Sequence, residues 1–384
     1  MSQLQPSLVI VGSGLAAWTV ARELRKLNPT QAITLITRDS GDFYSKPLLS
    51  NALASGKSPE QLIGTPRTAM AAQLGVTVLA DTTVYAIAPL ARTVQTSVGA
   101  VPYSQLVLAT GADPVRLPLE GDAADQVLSV NDWHDYALFR QRLAGARRVV
   151  VVGAGLIGCE FSNDLAVSGY AVTVVDPGLQ PLGRLLPPAA GEWMQSALRN
   201  AGIDFRFGVS VQAVHATAPG GPLRLALSDG GALEADLVLS AVGLKPRLDL
   251  ARAAGLQVAR GIVVNRQLQS SVPGIYALGD GAEVDGQWLP FVMPLMQAAR
   301  ALAAHLAGQD VSLRYPAMPV VVKTPAAPVV VAPPPPGQAG EWRITVDDAG
   351  VDAAFYAADG SLRGFALVGK ATGRKASLQK LLPV

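Results

Sequence analysis

Two glycine triads set the chemistry open to this chain. The first lies in Leu8-Val-Ile-Val-Gly12-Ser-Gly14-Leu-Ala-Ala17 and the second in Val149-Val-Val-Val-Gly153-Ala-Gly155-Leu-Ile-Gly158. In each, an apolar strand precedes the glycines and an amphipathic helix follows, the context that gives this spacing its meaning. The first glycine permits the tight turn, and the second lets the backbone approach a pyrophosphate. A small residue at the third position, Ala17 or Gly158, lets helix and strand pack closely. The phosphates then sit at a helix N-terminus, where free N–H groups and the dipole favour an anion. Two such loops predict two bound dinucleotides, with electrons passing from one to the other.

An acid at the end of the second strand, about 20 residues past the loop, usually accepts the adenosine ribose hydroxyls. In the second repeat the strand expected at 171–175 runs into Asp176, which also repels a 2′-phosphate. Pro177 and Gly178 follow, with no arginine immediately beside them, so NADH is expected over NADPH. In the first repeat the strand expected at 32–37 ends in Thr37, with Asp39 two residues later. Which residue holds that ribose is left open.

An α/β scaffold must position these loops. After the first come a helix to about Lys26 and strands at 32–37, 76–79, 84–87, 93–96 and 106–109, the last ending in Thr110-Gly111-Ala112-Asp113-Pro114. The second repeat opens near Arg147 and continues with strands at 171–175, 205–211, 223–228 and 233–242. Ala241-Val-Gly243-Leu-Lys-Pro246 resembles the 110–114 turn and marks the return crossing. Then come Ile275-Tyr-Ala-Leu-Gly279-Asp280 and a helix at 295–307. Beyond about Val311, prolines punctuate short Val-rich runs, and 342–346, 353–357 and 362–368 alternate like an antiparallel sheet. The expected fold is α/β: two Rossmann-like dinucleotide-binding domains, at 1–113 with 242–311 and at 114–241, plus a small C-terminal α+β domain at 312–384.

Composition narrows the function classes. At 384 residues the chain can build two or three domains, and 49% hydrophobic against 16% charged residues suits parallel strands covered on both faces. A net charge of +2 is too small to imply nucleic acid. No apolar stretch reaches the length of a membrane span, and no basic segment precedes the first strand, so a cytoplasmic protein is expected. The single cysteine, Cys159, excludes a redox dithiol and reads as a packing residue. His134, His215 and His305 show no metal spacing.

The order of these motifs resembles the two-dinucleotide-binding-domain flavoproteins of the pyridine nucleotide–disulfide oxidoreductase family, over about residues 6–308. The resemblance implies FAD on the first loop, completed by Thr110, Gly111, Gly279 and Asp280, and NADH on the second, with Gly243 at the return turn. Tyr44-Ser-Lys46-Pro47-Leu-Leu-Ser50 is similar to the flavin-facing segment of the electron-transfer branch: ferredoxin reductases, nitrite reductase flavin domains and rubredoxin reductases. Met318-Pro-Val-Val-Val-Lys323-Thr-Pro-Ala-Ala-Pro328, the run Pro333–Pro336 and the helix opening at Gly155 resemble the rubredoxin-reducing group within it.

That resemblance implies roles residue by residue. Asp280 would bind the flavin ribityl chain. Lys46, followed by Pro47, would stand beside the flavin N5–O4 edge and favour the reduced ring, pairing with Glu160 near the nicotinamide; Lys46 and Glu160 are the catalytic candidates. The helix start at Pro294 would point at flavin O2. A hydride would reach flavin N5 and leave as two single electrons for rubredoxin, a one-iron partner typically acidic. The C-terminal cations Arg363, Lys370, Arg374, Lys375 and Lys380 would then speed encounter. Alkane oxidation and oxygen defence both fit as downstream uses. The competing readings are a ferredoxin or flavorubredoxin reductase, an NADH oxidase, and a FAD/NADH redox sensor.

Overall fold

A computed structural model describes residues 7–383. The chain forms two compact units. One comprises Met1–Lys46, Ile63–Asp113 and Leu244–Tyr315; the other comprises Pro47–Leu62, Pro114–Gly243 and Pro316–Val384.

The first unit is built on a five-stranded parallel sheet in the order Ile275–Ala277, Gln105–Leu108, Ser7–Val11, Ala32–Ile36, Thr77–Leu79. Leu8, Ile10, Leu35 and Leu106 are fully buried, in one core with residues of helices Leu15–Leu27 and Val292–Leu306 and with Ile87 and Val94 of the antiparallel strands Val84–Ala88 and Thr93–Thr96. Helices Leu15–Leu27 and Val292–Leu306 pack against each other through alanines such as Ala17, Ala298 and Ala299, small enough for close approach. The strand expected at 32–37 ends at Ile36, and the helix expected at 295–307 begins at Val292, which puts Pro294 third in the helix. Proline there removes no hydrogen bond, since the first N–H groups of a helix have no partner within it.

The second unit carries a four-stranded parallel sheet, Ile203–Phe207, Ala171–Asp176, Arg148–Val152, Leu237–Ser240, and a three-stranded antiparallel sheet, Val211–Ala216, Leu223–Leu227, Ala232–Ala235. The strand expected at 205–211 is broken at Gly208, whose φ of +74° turns the chain. The stretch expected at 233–242 is two strands that meet at Asp236. Its carboxylate accepts from the Arg147 and Arg148 N–H groups, both at 2.9 Å, and pairs with the Arg148 guanidinium at 3.0 Å. This clamp passes the chain from one sheet to the other.

Residues from 316 onward form a five-stranded antiparallel sheet in the order Val320–Val322, Val329–Ala332, Leu362–Gly369, Gly350–Ala357, Gly340–Asp347. The proline-punctuated Val runs supply its first two strands. Val329–Ala332 is buried along its whole length, and the turn before it closes through a Thr324 Oγ1 bond to the Ala327 carbonyl. Helix Pro188–Asn200 packs on this sheet, with Trp193 Nε1 donating to the Asp347 carbonyl over 3.1 Å. Residues 47–62 are tied to helix Leu156–Val167 by Asp164, which accepts from the Leu53 and Ala54 N–H groups at 3.0 and 2.9 Å.

The Arg148 partner holds the Asp236 carboxyl down at about 2. A carboxyl lowered on folding contributes stability that is present above its ordinary range and lost as pH falls through the folded value. Urea midpoints of the protein should therefore drop between about pH 4 and 2. In Asp236→Asn that part of the acid sensitivity should be gone; an unchanged pH dependence would remove Asp236 from the account.

Candidate functional site

The first loop is shaped by one close approach. A Cβ on residue 12 would lie 2.3 Å from the Ala109 carbonyl oxygen, and the Gly12 φ of +120° suits glycine alone. Gly14 begins the helix with no side-chain cap, no acid in its first turn and open space where its own Cβ would be. Such a helix start suits a phosphate. Ala17 is fully buried at the packing position.

At the end of the strand Ala32–Ile36, Thr37 and Asp39 are held together with the loop. Asp39 Oδ1 accepts from Thr37 Oγ1 at 2.6 Å, from Ser13 Oγ at 2.8 Å and from Gly41 N–H at 2.9 Å. The carboxylate two residues beyond Thr37 thus reaches back to the loop itself through Ser13. Thr110 and Gly111 close the far side of the loop: Arg247 donates to the Thr110 carbonyl at 2.7 Å and pairs with Asp113, holding that carboxyl below its ordinary range. Thr110 Oγ1 is buried with no hydrogen-bond partner, although buried hydroxyls are almost always satisfied. Gly281 lies against Gly111, and in the same turn Asp280 Oδ2 stands 3.9 Å from Lys46 Nζ. Gly279 has a φ of +75° and sits against Ala16 and Leu295, at the start of the Pro294 helix.

The second loop repeats the design. A Cβ on Gly153 would come within 2.7 Å of the Ala241 carbonyl oxygen, and one on Gly158 within 1.9 Å of the Gly153 oxygen. Gly155 starts its helix uncapped, as Gly14 does. Asp176 accepts directly from Ala154 N–H and Gly178 N–H, each at 2.6 Å. Gly243, with φ at +116°, accepts from Val115 N–H at the return turn. The close glycine approaches, the uncapped helix starts and the unsatisfied Thr110 hydroxyl fit two bound dinucleotides.

Glu160, in the helix after the second loop, is 1% exposed. Where the sequence pairs it with Lys46, the described ion pairs give Glu160 to Lys323 at 2.8 Å and Lys46 to Asp280. Ser50 Oγ donates to Glu160 Oε2 at 2.5 Å, and Lys323 N–H donates to Oε1 at 2.9 Å. Lys323 Nζ also donates to the Pro47 carbonyl. Sequence reasoning missed Ser50 and Lys323 as site residues, although both lie in motifs it quotes. No spacing rule joins positions 163 residues apart.

Cys159 is buried and donates to the Ala154 carbonyl, and burial pushes its thiol up to about 12. Among the described residues no three His, Cys, Asp or Glu side chains gather as metal ligands. No described helix is long and apolar enough to cross a membrane. Of the C-terminal cations, Arg363 faces Asp359 at 3.6 Å and Arg374 pairs with Asp352, whereas no ion pair is described for Lys370, Lys375 or Lys380.

Comparison with known proteins follows the same division. Residues 6–304 match the family described as pyridine nucleotide-disulphide oxidoreductase, and residues 312–382 match a rubredoxin binding C-terminal domain. The chain is similar to a rubredoxin-NAD(+) reductase of Acinetobacter baylyi (45% identical, covering 98% of each chain) and to one of Alcanivorax borkumensis (46%, again 98% of each). It is 41% identical to a nitric oxide reductase FlRd-NAD(+) reductase of Aeromonas salmonicida, over 98% of this chain and 96% of that one. Among solved structures, a ferredoxin reductase of Rhodopseudomonas palustris superposes with a TM-score of 0.88 at 29% identity, covering 98% and 95% of the two chains.

Gly12→Ala should lose more than about 2 kcal/mol of stability, since no flexible side chain can yield to the new Cβ. It should also purify without flavin absorbance. Normal melting with full flavin content would show that the Gly12 approach is not required.

Proposed function

Since this chain belongs to the pyridine nucleotide-disulphide oxidoreductase family, we propose that it carries electrons from NADH through FAD to rubredoxin. The observation that carries this reading is the rubredoxin binding C-terminal domain at 312–382, joined to two complete dinucleotide loops in one chain.

Bound FAD would supply the conversion of one hydride into two single electrons, which an iron–thiolate acceptor requires. The residues of the chain supply binding and charge. Gly12, Gly14 and Ala17 admit the FAD pyrophosphate, and Thr37 with Asp39 stands where the adenosine ribose is recognised. Thr110, Gly111, Gly279 and Asp280 line the remainder, with the Thr110 hydroxyl free to bond the cofactor. Lys46 beside Asp280 adds a cation that favours added electron density, and the helix opening at Val292, with Pro294 in its first turn, aims a positive dipole end. Gly153, Gly155, Gly158 and Gly243 shape the NADH loop, and Asp176 selects NADH by repelling a 2′-phosphate. Glu160 stands on the helix of that loop, its charge balanced by Lys323.

The functional division we propose is FAD binding by residues 1–113 and 242–311, NADH binding by 114–241, and rubredoxin docking by 312–384. In the docking part, Arg363 and Arg374 have acidic partners of their own. Lys370, Lys375 and Lys380 are the cations left to attract an acidic iron protein. The likeness to flavorubredoxin reductases supports a second reading, in which the rubredoxin module belongs to a larger acceptor.

The deciding experiment mixes FAD-loaded protein with NADH anaerobically, adds rubredoxin, flavorubredoxin or a two-iron ferredoxin, and follows acceptor reduction by stopped flow. Fast reduction of free rubredoxin, slowed by salt and by neutralising the three lysines, is expected. Reduction of ferredoxin alone would overturn the reading, and preference for flavorubredoxin would move it to the second. Asp176→Ala should cut the preference for NADH over NADPH by about tenfold or more. Thr110→Val should leave apoprotein melting unchanged while weakening FAD binding by about tenfold.

A further inference from the structure

Withdrawing a carboxylate such as Glu160 from water carries a cost that a counter-charge and hydrogen bonds offset. Residue 323 supplies both: its Nζ lies 2.8 Å from Oε2, and its backbone N–H donates to Oε1. Ser50 adds a third contact and is itself held by Lys323 Nζ at 2.9 Å. None of these partners comes from the helix of Glu160. Asp164, one turn along that helix, is occupied by the Leu53 and Ala54 N–H groups, so it does not compete for Lys323 by hydrogen bonding. Lys323 belongs to the first strand-turn segment of the C-terminal domain, next to the strand Val320–Val322.

We propose that Lys323 is a positioning residue that equalises the affinity of the site for oxidised and reduced pyridine nucleotide. The inference rests on the reading above, which puts NADH on the second loop with Glu160 beside its nicotinamide. That ring becomes cationic when it gives up hydride. An unbalanced buried carboxylate would attract the cation strongly, because charges interact more strongly away from water. NAD+ would then be held as product. Lys323 cancels the carboxylate charge while leaving Glu160 fixed in place, so the oxidised nucleotide leaves as readily as the reduced one enters. The acceptor-binding domain thereby sets nucleotide release.

The test uses FAD-loaded protein and two non-reducing probes: NAD+, and tetrahydro-NAD, which is neutral and cannot give hydride. Dissociation constants are measured for wild type, Lys323→Met, Lys323→Arg and the double variant Lys323→Met with Glu160→Gln. In Lys323→Met the ratio of the NAD+ constant to the tetrahydro-NAD constant should fall about tenfold. Lys323→Arg should stay within about threefold of wild type, and the double variant should return to the wild-type ratio. If Lys323→Met does not fold, Lys323→Gln is measured in its place. A ratio within about twofold of wild type in the single variant, or a shift that persists without Glu160, would overturn the proposal. Flavin reduction of the wild type by NADH separates the two failures. Normal reduction with an unchanged ratio removes only the role of Lys323; no reduction removes the underlying reading.

Discussion

The geometry of this protein depends on a missing atom. At residue 12 a side chain would collide with the carbonyl that ends the neighbouring strand, and the same holds at residue 153. Glycine at these two points lets the strand turn directly into a helix whose N-terminus stays uncapped. The uncapped N–H groups are in turn what an anion requires. Each of the two parallel sheets then has an inner strand, Ser7–Val11 or Arg148–Val152, that leads into its own loop. The other recognition elements stand at the ends of strands beside it.

The acids at the two strand ends are held differently. Asp176 binds the backbone of its loop directly, whereas Asp39 lies beyond its strand and works through the hydroxyls of Ser13 and Thr37. An alanine in the second loop, Ala154, has no side-chain donor, so the acid must meet its N–H. A serine in the first loop extends toward a more distant acid. Ser13 and Thr37 stand where the second repeat has Ala154 and Asp176, and both bond Asp39.

Burial of Glu160 is the second constraint. A carboxylate withdrawn from water must be balanced locally, and here the balancing groups come from distant stretches of chain. Residues 47–62 and the C-terminal sheet are held to the nucleotide helix by polar groups that would be costly to leave unpaired: Asp164, Glu160 and the Lys323 ammonium. The same unit is fastened by Trp193 on the edge strand Gly340–Asp347.

Sequence alone determined the α/β plan, the two loops, the return turn at Gly243 and the antiparallel sheet near the C-terminus. Each of these is written in neighbouring residues: glycine spacing, alternation, apolar runs and turn residues act over a few positions of chain. It also placed Asp176, because the strand-end acid follows its loop at a fixed distance. Tertiary structure decided the rest: that Asp39 reaches Ser13, that Asp236 divides one apparent strand into two, and that Lys323 is the cation for Glu160. These outcomes depend on which side chains meet when remote segments pack. Coulomb attraction and burial act through space, and no local pattern records the partner.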